Sequence, residues 1–217
     1  MNPRTTDRIF AALGGSFVVL TLLGTALAGE VHGGSVTDST AKIAARIANP
    51  LPIHDWVGGY LEMLSVGCFL AFAAWATARL GGGVLGQLAR LFAACYAAVI
   101  VGSLGIMYGT GHAYGHGISV PVYRALDAVN TGTYVASWFL SAFFLLAVGA
   151  QALTGARRGL GWSAVGVAVL TLAAAPSTEN LGQLSVLLFF AWVVVAGIAL
   201  ARGGRAPEIA SAVVQHA

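Results

Sequence analysis

The sequence predicts an all-α, polytopic membrane protein: one domain over residues 1–217, a bundle of six transmembrane helices with both ends in the cytoplasm. Three observations carry this. Of 217 residues, 58% are hydrophobic and only 9% charged, far below the roughly 25% that a soluble domain uses to cover itself. The apolar residues collect in six segments, near 9–31, 55–80, 88–108, 127–153, 160–175 and 183–200, most of them close to the ~20 residues that cross a bilayer. The basic residues also alternate. Arg4, Arg8, Arg79, Arg90, Arg157, Arg158, Arg202 and Arg205 flank one set of segment ends, and only Lys42, Arg46 and Arg124 flank the other. That is the positive-inside distribution. On such a chain a net charge of +3 follows from topology and gives no sign of a nucleic-acid partner; the partner it implies is the bilayer.

The first segment follows the polar stretch Met1–Arg8 and is longer than a signal-peptide core, so it is expected to remain as a transmembrane helix. Residues 32–54 form an external loop. Within it Ser39–Asn49 places Ile43, Ala44, Ile47 and Ala48 on one face and Lys42 and Arg46 on others, the pattern of an amphipathic helix lying on the membrane surface. Pro50 and Pro52 end it. The second segment opens with His54-Asp55-Trp56 and closes at Arg79, and Gly81–Gly83 form a tight turn into the third. Residues 109–126 make the second external loop, which holds His112 and His116. Arg157 and Arg158 fill the turn before the fifth segment, the shortest. Cys68 and Cys95 fall within apolar segments and are expected as core-filling thiols.

The residue that asks for an explanation is Glu62. If the second span begins near Trp56, its carboxylate sits roughly 10 Å inside the apolar slab. Insertion at that depth costs on the order of 3 kcal/mol, so the group needs a partner or a proton. Asp55 lies seven residues earlier on the same helical face. With this topology Glu30, His32, His54, His112, His116, Asp127 and Glu179 all fall at outer helix ends, and Trp56, Tyr60, Tyr108 and Tyr134 lie at the same level. Asp127, Thr131, Tyr134 and Trp138 recur at helical spacing on the fourth segment. Glu62, Asp55 and Asp127 are therefore the candidate acid–base residues. Tyr60, Tyr108, Tyr134, Trp138, Trp56 and Glu179 are the candidate substrate-binding ones, around an outward-opening pocket between the second, third, fourth and sixth segments.

His54, His112 and His116 are the candidate metal ligands, because His112-x-x-x-His116 can set two imidazoles on one helical face. The glycines between and around them argue against a regular helix there, so no cofactor is expected, with metal the one open possibility. Haem is disfavoured because the histidines sit at helix ends. Gly58 and Gly59 suit close helix packing.

The acidic opening of the second segment, the Leu88-Ala89-Arg90-Leu91-Phe92 start of the third and the Gly155-Ala156-Arg157-Arg158-Gly159-Leu160-Gly161-Trp162 turn together resemble a family of uncharacterised bacterial six-helix membrane proteins, a domain of unknown function. The resemblance implies that fold and a place in the bacterial cytoplasmic (inner) membrane, with no residue roles. The intramembrane glutamate on an early helix gives a fainter likeness to small membrane-bound terpene cyclases, which have seven spans. Three functions compete: an acid–base enzyme or binder acting on an amphiphilic, lipid-like or isoprenoid molecule, a small-molecule or proton-coupled transporter using Glu62, and a metal- or haem-binding protein using the histidines. Few polar residues lie in the inner half of the bundle, which favours the first.

Overall fold

The computed structural model describes residues 3–32, 37–175 and 180–202. Among these, eight helices follow in order: α1 Pro3–Leu27, α2 Gly29–His32, α3 Thr40–Ile47, α4 Ile53–Arg79, α5 Gly83–His112, α6 Val120–Thr154, α7 Arg158–Ala174 and α8 Asn180–Arg202. No strand occurs among the described residues. α1, α4, α5, α6 and α8 are long and apolar enough to cross a membrane, whereas α7, with 17 residues, reaches about 25 Å.

Local chemistry sets the boundaries, and in several places it moves them from the expected ones. Gly81, Gly82 and Gly83 all have positive φ (109°, 68° and 77°), which glycine adopts without steric cost. The chain reverses within those three residues, so α5 begins at Gly83 rather than near 88. It then runs through Gly109 and Gly111 to His112. α6 begins at Val120, with Pro121 in its first turn, where a missing N–H costs nothing. The expected external loop 109–126 therefore shrinks to 113–119, and Arg124 and Asp127 lie on a helix. α5 and α6, at 30 and 35 residues, extend about 45 and 52 Å, beyond the ~30 Å hydrocarbon core.

The long helices form a ring in chain order. α1 packs on α4, α4 on α5, α5 on α6, α6 on α7 and α7 on α8, and α8 returns to α1, with α4 also touching α8. Phe69 is the hub of the middle. Its ring centroid lies 5.1 Å from Phe17, 5.0 Å from Tyr96, 5.5 Å from Phe144 and 5.8 Å from Phe189.

The two ends of the bundle differ. At one, Asp7 Oδ2 accepts from Arg79 at 2.8 Å and Asp7 Oδ1 from Trp75 Nε1 at 3.1 Å. Arg90 Nε donates to Thr77 Oγ1, and Gln151 Nε2 donates to the Gly82 carbonyl at 2.7 Å, fastening the glycine turn to α6. At the other end Lys42, Arg46 and Arg124 all converge on Asp38, through its carboxylate at 2.7 and 3.4 Å and its carbonyl at 3.0 Å.

α3 lies over this second end. The helix confirms the amphipathic pattern of residues 39–49, and Ser39 caps it by accepting from the Lys42 N–H. Its expected apolar face is divided: Ile43 and Ile47 are buried against Tyr114 and Tyr123, while Ala44 and Ala48 remain exposed. Burial first, and then the neighbouring Tyr123, pushes the Tyr114 phenol above its ordinary value. Burial alone would lower the Arg46 guanidinium; its hydrogen bond to Tyr123 and the charge of Asp38 leave it raised.

Candidate functional site

The seam between α1 and α4 holds a column of polar groups. It exists because the two backbones touch. A Cβ added at Gly58 would lie 2.6 Å from the Gly24 carbonyl oxygen, and one added at Gly24 would lie 2.6 Å from Glu62 Cγ. Only glycine at both positions permits this approach. Close contact brings Thr21 Oγ1 to Ser65 Oγ at 2.9 Å and Thr25 Oγ1 to Glu62 Oε1 at 2.8 Å. About two turns beyond Thr25, His32 Nε2 stands 2.8 Å from the same Glu62 oxygen. The Tyr108 hydroxyl donates to Glu62 Oε2 at 3.4 Å, and the face of its ring lies where a Cβ at Gly59 would fall.

Glu62 thus has the partner that its depth demands. The Glu62 side chain is 6% exposed, while the His32 side chain retains 31% exposure. A buried acid holds one nitrogen of an imidazole that still reaches the surface. The partner is His32, which in the sequence is one of several residues at outer helix ends. A signal was present: Thr21, Thr25, Ala28 and His32 follow one another at intervals of four, three and four, a single helical face.

Asp55 is completely buried. Its Oδ1 accepts from the Val31 N–H at 3.1 Å and its Oδ2 lies 3.3 Å from His54 Nε2, so it ties the end of the α1–α2 segment to the start of α4. Trp56 packs on Tyr108 at 5.8 Å and on His112 at 6.1 Å, next to the Glu62 cluster. Tyr60 is 67% exposed and takes no part in it. Tyr134 and Trp138 stack edge to face at 5.4 Å on α6. Glu179 lies outside the described residues.

Asp127 does not join Glu62. It lines a separate recess of about 20 Å³ with Thr110, Tyr114, Tyr123 and Asn130, between α5, α6 and Val31. A larger groove of about 510 Å³ opens between the end of α5 and the start of α6, with Gly105, Gly109 and Thr110 on one wall, Val122 and Leu126 on the other, and His116 at its rim. The single pocket expected between the second, third, fourth and sixth segments is therefore divided. Glu62 belongs to the seam of the first two spans, and α5 separates it from Asp127. The reason lies in the glycines, which draw α1 onto α4. Compared with protein-family models, curated proteins and solved structures, the chain matches none.

Proposed function

We propose that the chain is a multi-pass protein of the bacterial cytoplasmic membrane, with six spans and both ends in the cytoplasm. In this reading the Glu62–His32 pair is an acid–base centre that acts on an amphiphilic, lipid-like or isoprenoid molecule approaching from the outer leaflet. The observation that supports it is the 2.8 Å contact between a buried carboxylate and a part-exposed imidazole.

The chemistry follows from that contact. A carboxylate that accepts the Nε2–H fixes one tautomer of the neutral ring and leaves Nδ1 with its lone pair free for a proton. When Nδ1 takes a proton from the substrate, the imidazolium that forms already has its counter-charge in place. His32 then acts as the base and Glu62 as the group that orients and stabilises it. Thr25 occupies the same carboxylate oxygen and limits how the acid can rotate. Trp56 and Tyr108 supply an aromatic wall beside the pair, suited to an apolar or cationic portion of the substrate. Below Ser65 the seam is filled by Phe17, Phe69 and Phe72. A continuous polar path toward the Asp7 end is interrupted there, which favours chemistry or binding over transport.

The test is recovery of the amphiphile. Protein extracted in native-lipid particles should carry a lipid-like molecule enriched at least about tenfold over Glu62→Gln and His32→Gln variants, a difference of about 1.4 kcal/mol. Identical extracts from parent and both variants, at equal thermal stability, would refute the proposal.

A further inference from the structure

The segment around His112 and His116 carries a second, independent inference. The glycines that were expected to loosen it hold it in place. Gly115 has φ +72°, and a Cβ there would come within 2.7–2.9 Å of the Pro50 ring. Its N–H donates to the Ile47 carbonyl at 2.9 Å. Gly111 lies against Leu51 in the same way. The His116 N–H donates to the Ala113 carbonyl at 3.1 Å, so a tight turn continues directly from the last residue of α5. The turn is clamped between the end of α5 and the segment that follows α3.

This clamp sets the two imidazoles together. The His112 and His116 ring centroids are 6.1 Å apart with an interplanar angle of 38°, and both residues are exposed. Two imidazoles sharing one ion, each with a ring nitrogen at about 2.0–2.1 Å from it, place their centroids about 4.5–5.2 Å apart at square-planar or tetrahedral angles, so a closure of about 1 Å by the two exposed side chains brings the pair onto one ion. From this geometry we infer that His112 and His116 form a two-histidine chelate for a borderline divalent transition-metal ion of the Cu²⁺ and Zn²⁺ class. Imidazole suits these ions, and oxygen-seeking Mg²⁺ and Ca²⁺ are excluded by the donor type.

No group of three His, Cys, Asp or Glu side chains able to hold a metal occurs among the described residues. Among these residues the site has two ligands, and water or an exogenous group takes the other positions. His116 also lines the open α5–α6 groove, so those positions lie beside it. The site shares no ligand with the Glu62–His32 pair, and either proposal can fail without the other.

The experiment uses full-length protein without an affinity tag, stripped with chelator, in detergent. Titration with Cu²⁺ should saturate at one ion per chain and quench the fluorescence of Trp56, whose ring packs on His112. A Trp56→Phe variant should bind one Cu²⁺ by calorimetry with less quenching. His112→Gln and His116→Gln, both exposed and expected to melt with the parent, should each weaken binding at least about tenfold, a ligand mattering no less than a supporting residue. His32→Gln and His54→Gln should bind as the parent does. With no scaffold geometry imposed, Cu²⁺ should bind more tightly than Ni²⁺ or Zn²⁺. Absence of saturable binding, or binding that survives both His112→Gln and His116→Gln, overturns the inference.

Discussion

His32 Nε2 and Glu62 Oε1 lie 2.8 Å apart although 30 positions separate them in the chain. Each belongs to a different helix, and neither helix alone gives its residue a partner. His32 ends α2 and Glu62 lies on α4, and the two meet because α1 crosses α4 just before α2, which makes the pair sensitive to substitutions in the crossing as well as in itself.

Glu62→Gln should leave the fold nearly intact. The amide oxygen still accepts from Thr25, and a group costly to bury is removed. Thermal melts in detergent should differ little between parent and variant, while amphiphile retention falls at least about tenfold. A variant that melts lower yet retains its ligand normally would make Glu62 a structural residue.

Gly58→Ala should act on the crossing. The new methyl meets the Gly24 carbonyl oxygen and Ala28 at 2.6–2.9 Å, and overpacking of this kind costs about 1–3 kcal/mol. Lower melting accompanied by loss of the Glu62 function is the expected result. An unchanged melting temperature would show that α1 slides freely over α4.

The Asp7–Arg79 contact should be worth about 1.5–3 kcal/mol, as expected of hydrogen bonds to charged groups. Both side chains are largely buried, at 13% and 10% exposure, and Trp75 shares the carboxylate. A double-mutant cycle of Asp7→Asn and Arg79→Gln measures this directly. Strict additivity of the two losses would show that the contact contributes nothing.

Alkaline stability should depend on Tyr114, whose phenol burial and Tyr123 raise above the ordinary value near 10. A group raised in the folded state contributes stability fully below the unfolded value and loses it as pH rises above that value. The melting temperature should fall above pH ~10, and less steeply in Tyr114→Phe. Equal slopes for the two proteins would assign the loss to other groups.

Reporter fusions should place Gly82 and the C-terminus in the cytoplasm and residues 37–41 and 115–119 outside. The arginine distribution predicts this. A cytoplasmic signal from either of the latter two sites would reverse the side from which the proposed substrate approaches.

Much of this arrangement was legible in the sequence, though unevenly. Apolar runs gave the helices, and the alternation within Ser39–Asn49 gave α3. The partner of α3 was not legible, because an apolar stripe looks the same whether it meets lipid or Tyr114 and Tyr123. Pro121 marked the start of α6, but the polar residues around it read as loop. Glu62 stood out through its depth alone. His32 did not, since a histidine at a helix end is ordinary and its importance comes from a crossing. That crossing depends on Gly24 and Gly58, two of 29 glycines, and spacing does not say which pair will meet. Asp7 was hidden for a similar reason: between Arg4 and Arg8 it resembles a solvated tail until Arg79 is placed beside it.

The closed ring bears on how the protein is made. α1 and α2 are synthesised first, and Thr25 and His32 have no counterpart on another span until α4 has entered the membrane, whereas Thr21 already donates to the Phe17 carbonyl of its own helix. The nascent first helix therefore waits in an incomplete state, its polar side chains shielded by the insertion machinery or by water at the interface. The wait ends in two stages. α4 supplies Ser65 and Glu62, and α8 brings Phe189 and Phe190 against Phe17 to within 6.2 and 5.3 Å. A chain arrested before α8 would thus keep its acid–imidazole pair while leaving the aromatic centre open on one side. Quality-control proteases that recognise unassembled spans should distinguish such a chain from the finished bundle.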